Sequence, residues 1–164
     1  MSRETVRQAV ANYLTAQNIP ALSVYEAMPK QSDPFPIVPG TATTAIAFPF
    51  IAAQDEKRLG MGKKQITYTV TLAVECYSTQ QLGEDAQSDA DAIFESVLEA
   101  VRADPQLGTA NSALPLLQAG EGDGVGTPDL RLDQDLPITA ETETGVYIWA
   151  RMAITAVEVI TSAF

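Results

Sequence analysis

Apolar and polar residues alternate without interruption through residues 65–76, and this pattern predicts a long β-strand. One side of the strand carries Ile66, Tyr68, Val70, Leu72, Val74 and Cys76, and the other side carries Thr67, Thr69, Thr71, Ala73 and Glu75. Because the first side is apolar throughout, we expect it to lie against the hydrophobic core.

The apolar residues that follow, over 84–102, recur at helical spacing and predict an amphipathic helix. Its apolar stripe is Ala86, Ala90, Ile93, Phe94, Val97, Leu98 and Val101. Its opposite side is acidic, with Asp85, Asp91, Glu95 and Glu99. The helix and the strand before it are therefore expected to face each other across a core.

Shorter patterns predict the remaining elements. A first helix is expected after the capping residue Ser2 and before Pro20. Its inner stripe is Val6, Val10, Tyr13 and Leu14. Short strands are predicted at 22–27, 41–50 and 114–119. The last strand begins near Val146 and is largely apolar on both sides, so we expect it in mid-sheet or at a subunit interface.

Two segments interrupt this pattern. Residues 29–40 contain Pro29, Pro34, Pro36 and Pro39, which disfavour regular strand pairing and predict an extended connection. Residues 51–62 contain charged residues and glycines, and they predict an exposed, mobile loop that is too long for a two-residue hairpin turn.

The chain has 164 residues, and this length predicts a single domain, 1–164. Its net charge of -11 disfavours binding to DNA phosphates and to anionic lipid, so neither is an expected partner. The N-terminus has no signal-peptide pattern, and no segment approaches the about 20 apolar residues that span a bilayer. With its single cysteine, the chain cannot form an internal disulfide, which is typical of a protein made in a reducing cytoplasm.

Catalytic chemistry has little support in the sequence. Histidine is absent, so histidine-activated nucleophiles and histidine metal sites are excluded. Cys76 is interpreted as an inert core residue. The glycine-rich segment 120–126 lacks the lysine and Ser/Thr of a phosphate-binding loop. We therefore predict no enzyme activity, and no catalytic, cofactor or metal site.

One alternative of a different class remains open at this point, a small acidic calcium-binding or carbohydrate-binding domain. Asp129, Asp133 and Asp135 are spaced like calcium ligands, but they do not fit the pattern of an EF-hand loop. Paired carboxylates suit glycosidases, but acidic residues are too frequent in this chain to identify such a pair.

Two groups of residues are candidates for protein interfaces. Four of the ten basic residues lie close together, Lys57, Arg58, Lys63 and Lys64. They are either solubilising charges on a loop or a docking site for another protein. The docking interpretation is favoured by the contrast with the rest of the chain, which is acidic. The final strand supplies Tyr147, Trp149 and Arg151, which are candidates for a subunit interface, although the two aromatic residues also suit a place in the core or packing within the sheet.

The order of elements resembles that of the tail terminator (tail completion) proteins of long-tailed bacteriophages. The similarity covers most of the chain and is carried by these segments: SRETVRQAVANYLTAQ, KQITYTVTLAVECYS, EDAQSDADAIFESVLEAVRADPQLG, LPLLQAGEG and GVYIWARMAITAVEVI. The proline-rich segment 29–40 is longer than this layout suggests and is a candidate additional docking arm.

The resemblance implies an α/β (α+β) fold, in which a mostly antiparallel twisted sheet is covered on one face by two helices and the subunits form a ring of six. Such a ring caps the tail tube, ends its polymerisation and joins the tail to the head connector. The implied partners are further copies of the chain, the major tail tube protein and head-tail connector proteins, and genome DNA passes through the ring unbound. The implied location is the head-proximal end of the virion tail, after assembly in the bacterial cytoplasm. Another head-to-tail connector or tail-completion ring protein is the alternative in the same class.

Overall fold

The computed structural model describes residues 3–29, 42–79, 83–109, 116–120, 130–134, 138–139 and 146–161. The helices are α1 (Arg3–Ala16) and α2 (Gly83–Ala103). The strands are β1 (Leu22–Val24), β2 (Thr43–Gly60), β3 (Lys63–Ser78), β4 (Leu116–Ala119), β5 (Leu132–Gln134), β6 (Ile138–Thr139) and β7 (Val146–Thr161). A mixed α+β fold with a curled sheet and two helices is thus confirmed. Neither helix is both long and apolar enough to cross a membrane.

The centre of the sheet consists of the three long strands β2, β3 and β7, in that order. Strand β7 pairs with β3 along its whole length, and its other edge pairs in succession with β6, β5 and β4. Strand β1 runs parallel to β2, and the other pairs are antiparallel. Of the two positions predicted for the last strand, the structure shows the mid-sheet one.

The main core lies between the two helices and one face of the sheet. Its fully buried members include Val6, Val10, Leu14, Val70, Leu72, Val74, Val97, Val101, Ile148, Met152 and Ile154. In β3 and β7 these residues occupy alternate positions, so a single face of the sheet meets both helices. The Tyr13 hydroxyl donates a hydrogen bond to the Ala100 carbonyl oxygen at 2.6 Å and thereby joins α1 to the end of α2.

The predicted loop at 51–62 is wrong, because these residues continue β2 and close a hairpin. A two-residue turn, Met61 and Gly62, separates β2 from β3, and Gly62 has a φ of 72°, which glycine adopts without strain. The register pairs Arg58 with Lys64 and Gly60 with Lys63. The expected exposure is confirmed, since residues 52–60 are all exposed. The segment has no alternating pattern because neither of its faces is covered.

Pro49 lies inside β2 at a position where a proline is tolerated. Nearby, the Ala45 N–H donates to the Ala21 carbonyl and the Ala47 carbonyl accepts from the Tyr25 N–H, both at 2.8 Å, on the β1 side of the strand. Two residues further along, Pro49 would direct its N–H to the same side, away from β3. Its missing donor therefore breaks no bond to β3, as expected for an edge strand.

Several predictions differ in extent or lie outside the described residues. Strand β1 is shorter than the predicted 22–27, and the short strands β5 and β6 were not predicted. Strand β7 continues beyond the alternating segment to Thr161. Ser2, residues 30–40 of the proline-rich segment, residues 114–115 and residues 121–126 lie outside the described part of the chain.

Candidate functional site

The sheet has a second face, turned away from the main core, which we call the outer face. Residues directly opposite each other on antiparallel strands share a face. The register places Phe48 opposite Ala73 and Ala73 opposite Arg151, and it places Glu75 opposite Trp149. These side chains alternate with the core residues of the same strands, so they belong to the outer face.

An apolar groove lies on the outer face. Its volume is about 500 Å³, and it is lined by Met28, Phe48, Phe50, Ala73, Glu75, Trp149, Ala150 and Arg151. At its floor, Ile46, Phe48 and Ala73 form a small hydrophobic cluster with Tyr25 packed against it. At its rim, Met28 is 67% exposed and Phe50 is 39% exposed. The outer face thus presents a surface that could receive an apolar group of another molecule.

All three candidates for a subunit interface lie on this outer face. Tyr147 and Trp149 are half-buried and Arg151 is exposed, in alternation with the buried Ile148 and Ala150. The Tyr147 ring packs against that of Tyr77, with centroids 4.8 Å apart and planes tilted by 42°. Packing within the sheet is therefore confirmed for Tyr147. A place in the main core is wrong for both aromatic residues, and their role at a subunit interface stays a prediction.

Charged groups lie in the groove and in a cleft beside it. Burial raises the pKa of the Glu75 carboxyl above its ordinary value. Beside the groove, a cleft of about 480 Å³ includes Phe50, Arg131, Asp133 and Arg151 in its lining. Arg131 Nε and Asp133 Oδ1 are 2.7 Å apart in this cleft. Asp133, one of the three candidate calcium ligands, is thus ion-paired, while Asp129 and Asp135 lie outside the described residues.

The second candidate surface is the arm, defined as residues 52–60 of β2, the turn at 61–62 and residues 63–65 of β3. Its tip, residues 57–64, brings together the four predicted basic residues, Lys57, Arg58, Lys63 and Lys64, around one shallow depression. The register places Lys57 and Lys63 on the outer face and Arg58 and Lys64 on the opposite face. The proximity of the four residues is confirmed, and their docking role stays a prediction.

Apolar side chains accompany the basic ones at the tip of the arm. Leu59 is 47% exposed, and Met61, in the turn, is 95% exposed. Lys64 Nζ lies 3.5 Å from Glu56 Oε1. Within the described ranges, no carboxylate oxygen lies within 4.0 Å of the Lys57, Arg58 or Lys63 side-chain nitrogens. The tip therefore combines exposed apolar surface with unpaired positive charge.

The water-facing side of α2 has the opposite charge. Its exposed carboxylates are Glu84, Asp85, Asp91, Glu95 and Glu99. Glu95 pairs with Arg102 at 2.7 Å, and Asp91 accepts a hydrogen bond from Gln87 at 2.7 Å. Asp89 is directed toward the sheet, where it accepts a hydrogen bond from Thr43 at 2.7 Å. The exposed side of α2 is thus an acidic surface on the far side of the helix from the sheet.

Cys76 is buried in the main core, as predicted. Burial raises the pKa of its thiol to about 12, so the thiol stays protonated near neutral pH. A protonated, inaccessible thiol is a poor nucleophile and a poor metal ligand. Within the described residues, no group of three or more His, Cys, Asp or Glu side chains has a geometry that could hold a metal ion.

Of the residues that line the groove, only Trp149 and Arg151 were among the predicted site residues, and the large apolar side chains Met28, Phe48 and Phe50 were missed. The available signal was the segment Thr43–Phe50, in which consecutive apolar residues indicate that both faces of the strand are covered or in contact. Sequence comparison adds no identification: no known family model matches the chain, and no curated protein is detectably similar to it.

Proposed function

We propose that this protein is a structural subunit of a bacteriophage tail, a tail terminator that forms a ring, caps the tail tube and ends its polymerisation. The ring would then join the tail to the head connector, at the head-proximal end of the virion. The proposal starts from the resemblance in element order. The two helices and the long strands on which that resemblance rests are present in the fold.

The groove on the outer face is the observation that carries this proposal. An apolar surface that combines Trp149, Phe50 and Met28 is typical of a protein contact, because aromatic and methionine side chains gain most from burial at an interface. We assign this face, with Tyr147 and Arg151, to the contact between neighbouring subunits. Repetition of one such contact between unlike surfaces closes a ring when the rotation permits it.

The arm supports the docking part of the proposal. In a chain with a net charge of -11, a cluster of four basic residues is an electrostatically distinct surface. Opposite charges steer the encounter of proteins and fix their orientation. We therefore propose that the arm is a docking element, and the resemblance gives the major tail tube protein and the head connector as its partners.

The acidic surface suits a ring through which DNA passes without binding. Of the 21 acidic residues, 12 fall between Glu84 and Asp135. Such a surface repels phosphates, and favourable binding to DNA requires several cationic contacts. We expect no measurable affinity of the purified protein for duplex DNA at moderate salt, as judged by gel-shift titration. Tight, salt-sensitive binding that requires the basic tip of the arm would favour a connector on the DNA path instead.

Native mass spectrometry at increasing protein concentration tests the ring directly. We expect one closed oligomer, of six subunits, to replace the monomer as concentration rises. The alternative ring proteins of the head-tail junction give the same oligomer and differ in their partners. A chain that remains monomeric both in solution and on finished tails would contradict the proposal.

A further inference from the structure

The outer half of β2 forms strand pairs but lacks the covering layer that the inner half has. Residues 43–49 are buried, whereas residues 52–60 are exposed on both faces although they pair with β3. The partner strand β3 keeps Ile66 and Tyr68 in the main core and also pairs with β7 here, so β3 holds this half of β2 in place while the side chains of this half stay exposed. A contact with another molecule would cover these exposed side chains.

The charged and apolar side chains at the tip of the arm indicate what kind of surface would complement it. Three cations, Lys57, Arg58 and Lys63, have no carboxylate partner among the described residues, and Leu59 and Met61 are exposed between them. A complementary surface would offer carboxylates around an area that tolerates apolar contact. Lys64 is less available because it already pairs with Glu56.

The described part of the chain contains one surface with this complementary charge, the exposed side of α2. Glu84 and Asp85 lie in the first turn of α2, and Glu99 lies four residues before its end. These carboxylates are exposed, and no basic side chain of the described residues lies within ion-pairing distance of them. Small side chains such as Ala92, which is also exposed, leave room for apolar contact between the acidic groups.

The arm cannot reach the acidic side of its own α2. The apolar stripe of α2 packs on the core face of the sheet, so its acidic side points away from the sheet. The arm continues the strands of that same sheet, so its tip extends along the strands and not across the far side of α2. A contact between the tip and the acidic side of α2 therefore requires a second copy of the chain.

We propose that the tip of the arm of one copy docks on the acidic side of α2 in the next copy. The inference rests on the proposed ring, and it identifies a second contact between its subunits. The two surfaces differ, so each copy binds one neighbour through its arm and another through its helix. Such a head-to-tail arrangement closes into a ring or continues as a filament. Exposed ion pairs are screened by salt, so this contact weakens as ionic strength rises.

Two charge-reversed variants test the proposal when they are studied alone and mixed. The arm variant carries K57E, R58E and K63E, and the helix variant carries E84K, D85K and E99K. Each variant alone faces like charges at every contact between arm and helix, so we expect its self-association to fall at least tenfold, as measured by sedimentation velocity at low salt. Mixed in equal amounts, the variants offer opposite charges at every contact between arm and helix, and we expect association to return with alternating copies.

The mixing experiment separates a lost contact from a damaged fold, because a misfolded variant cannot be rescued by its partner. A control variant, E4K, changes an exposed carboxylate on α1, away from the arm, the acidic side of α2 and the groove, and should associate like the wild type. The proposal is overturned if the mixture stays dissociated, if the arm variant associates normally, or if the wild type does not associate at low salt. An arm variant that associates normally but yields tails without heads would assign the arm to the tube or connector and leave the proposed function intact.

Discussion

The two faces of β3 share one backbone but differ in how far their side chains are buried. On the core face Val70, Leu72 and Val74 are fully buried, whereas on the outer face Thr71 and Glu75 are half-buried and no described helix covers them. The core face contributes the burial that stabilises the fold. The outer face keeps partly exposed apolar and polar groups that a monomer does not need. In the proposed ring, folding and assembly would depend on separate sets of residues in the same strands.

The largest effect is expected on the core face, from Leu72→Ala. Leu72 is fully buried, so its truncation leaves a cavity and should lower the free energy of unfolding by about 3 kcal/mol. The same change at Leu59, which is 47% exposed on the arm, is the matched control and should cost less than about 0.5 kcal/mol. Urea unfolding of both variants measures the difference. Equal costs would contradict the division between a stabilising face and an uncovered arm.

Trp149→Ala, on the outer face, should weaken self-association strongly and lower the free energy of unfolding only moderately. Because Trp149 is half-buried, we expect a loss of about 1 to 2 kcal/mol in the free energy of unfolding. Self-association should weaken at least tenfold, since tryptophan is often an energetic anchor of an interface. Thr155→Ala, on the same face of β7 but outside the groove, is the control. Unchanged association of the tryptophan variant would remove the groove from the subunit contact.

Glu75→Gln should change how the free energy of unfolding depends on pH. Burial raises the pKa of Glu75 in the folded protein, so the folded state holds this proton more tightly than the unfolded state. Its contribution to stability is complete below the unfolded pKa and is lost as pH rises through the folded pKa. The glutamine variant lacks this loss. Its free energy of unfolding should therefore increase relative to that of the wild type from acid toward neutral pH. Urea unfolding at a series of pH values measures it, and parallel profiles would contradict the assignment.

Pro49→Val should have the smallest effect on stability. The position lies where an added N–H points away from β3, so no existing bond is broken and the cost should be about 0.5 kcal/mol, from the larger freedom of the unfolded chain. The new donor extends the open edge of β2, which should favour pairing between edges. Thermal unfolding and light scattering measure the two effects. A cost above about 2 kcal/mol would show that the proline supports the hairpin in another way.

The elements that bury one side could be predicted from the sequence. The alternation from Ile66 to Cys76 and the helical stripe from Ala86 to Val101 both report burial, and both elements are present. The outer half of β2 could not be predicted, because residues 52–60 are exposed on both sides and leave no periodic signal. Their strand conformation comes from pairing with β3, which is a long-range property.

Similar limits apply to the candidate site. The basic tip was visible as a charge cluster in an acidic chain, because charge can be read without a fold. The groove could not be predicted, since it needs the register that brings Phe48, Ala73 and Trp149 onto one face. The short strands β5 and β6 were also missed, because only pairing with β7 defines them.

Electron cryomicroscopy of tails assembled with and without this protein tests the account most directly. With the protein present, we predict a ring of six subunits at the head-proximal end of the tail and a uniform tail length. Without it, tubes should grow beyond that length and fail to join heads. Tails of equal length in both preparations, with no density for this chain at their ends, would contradict the proposed function.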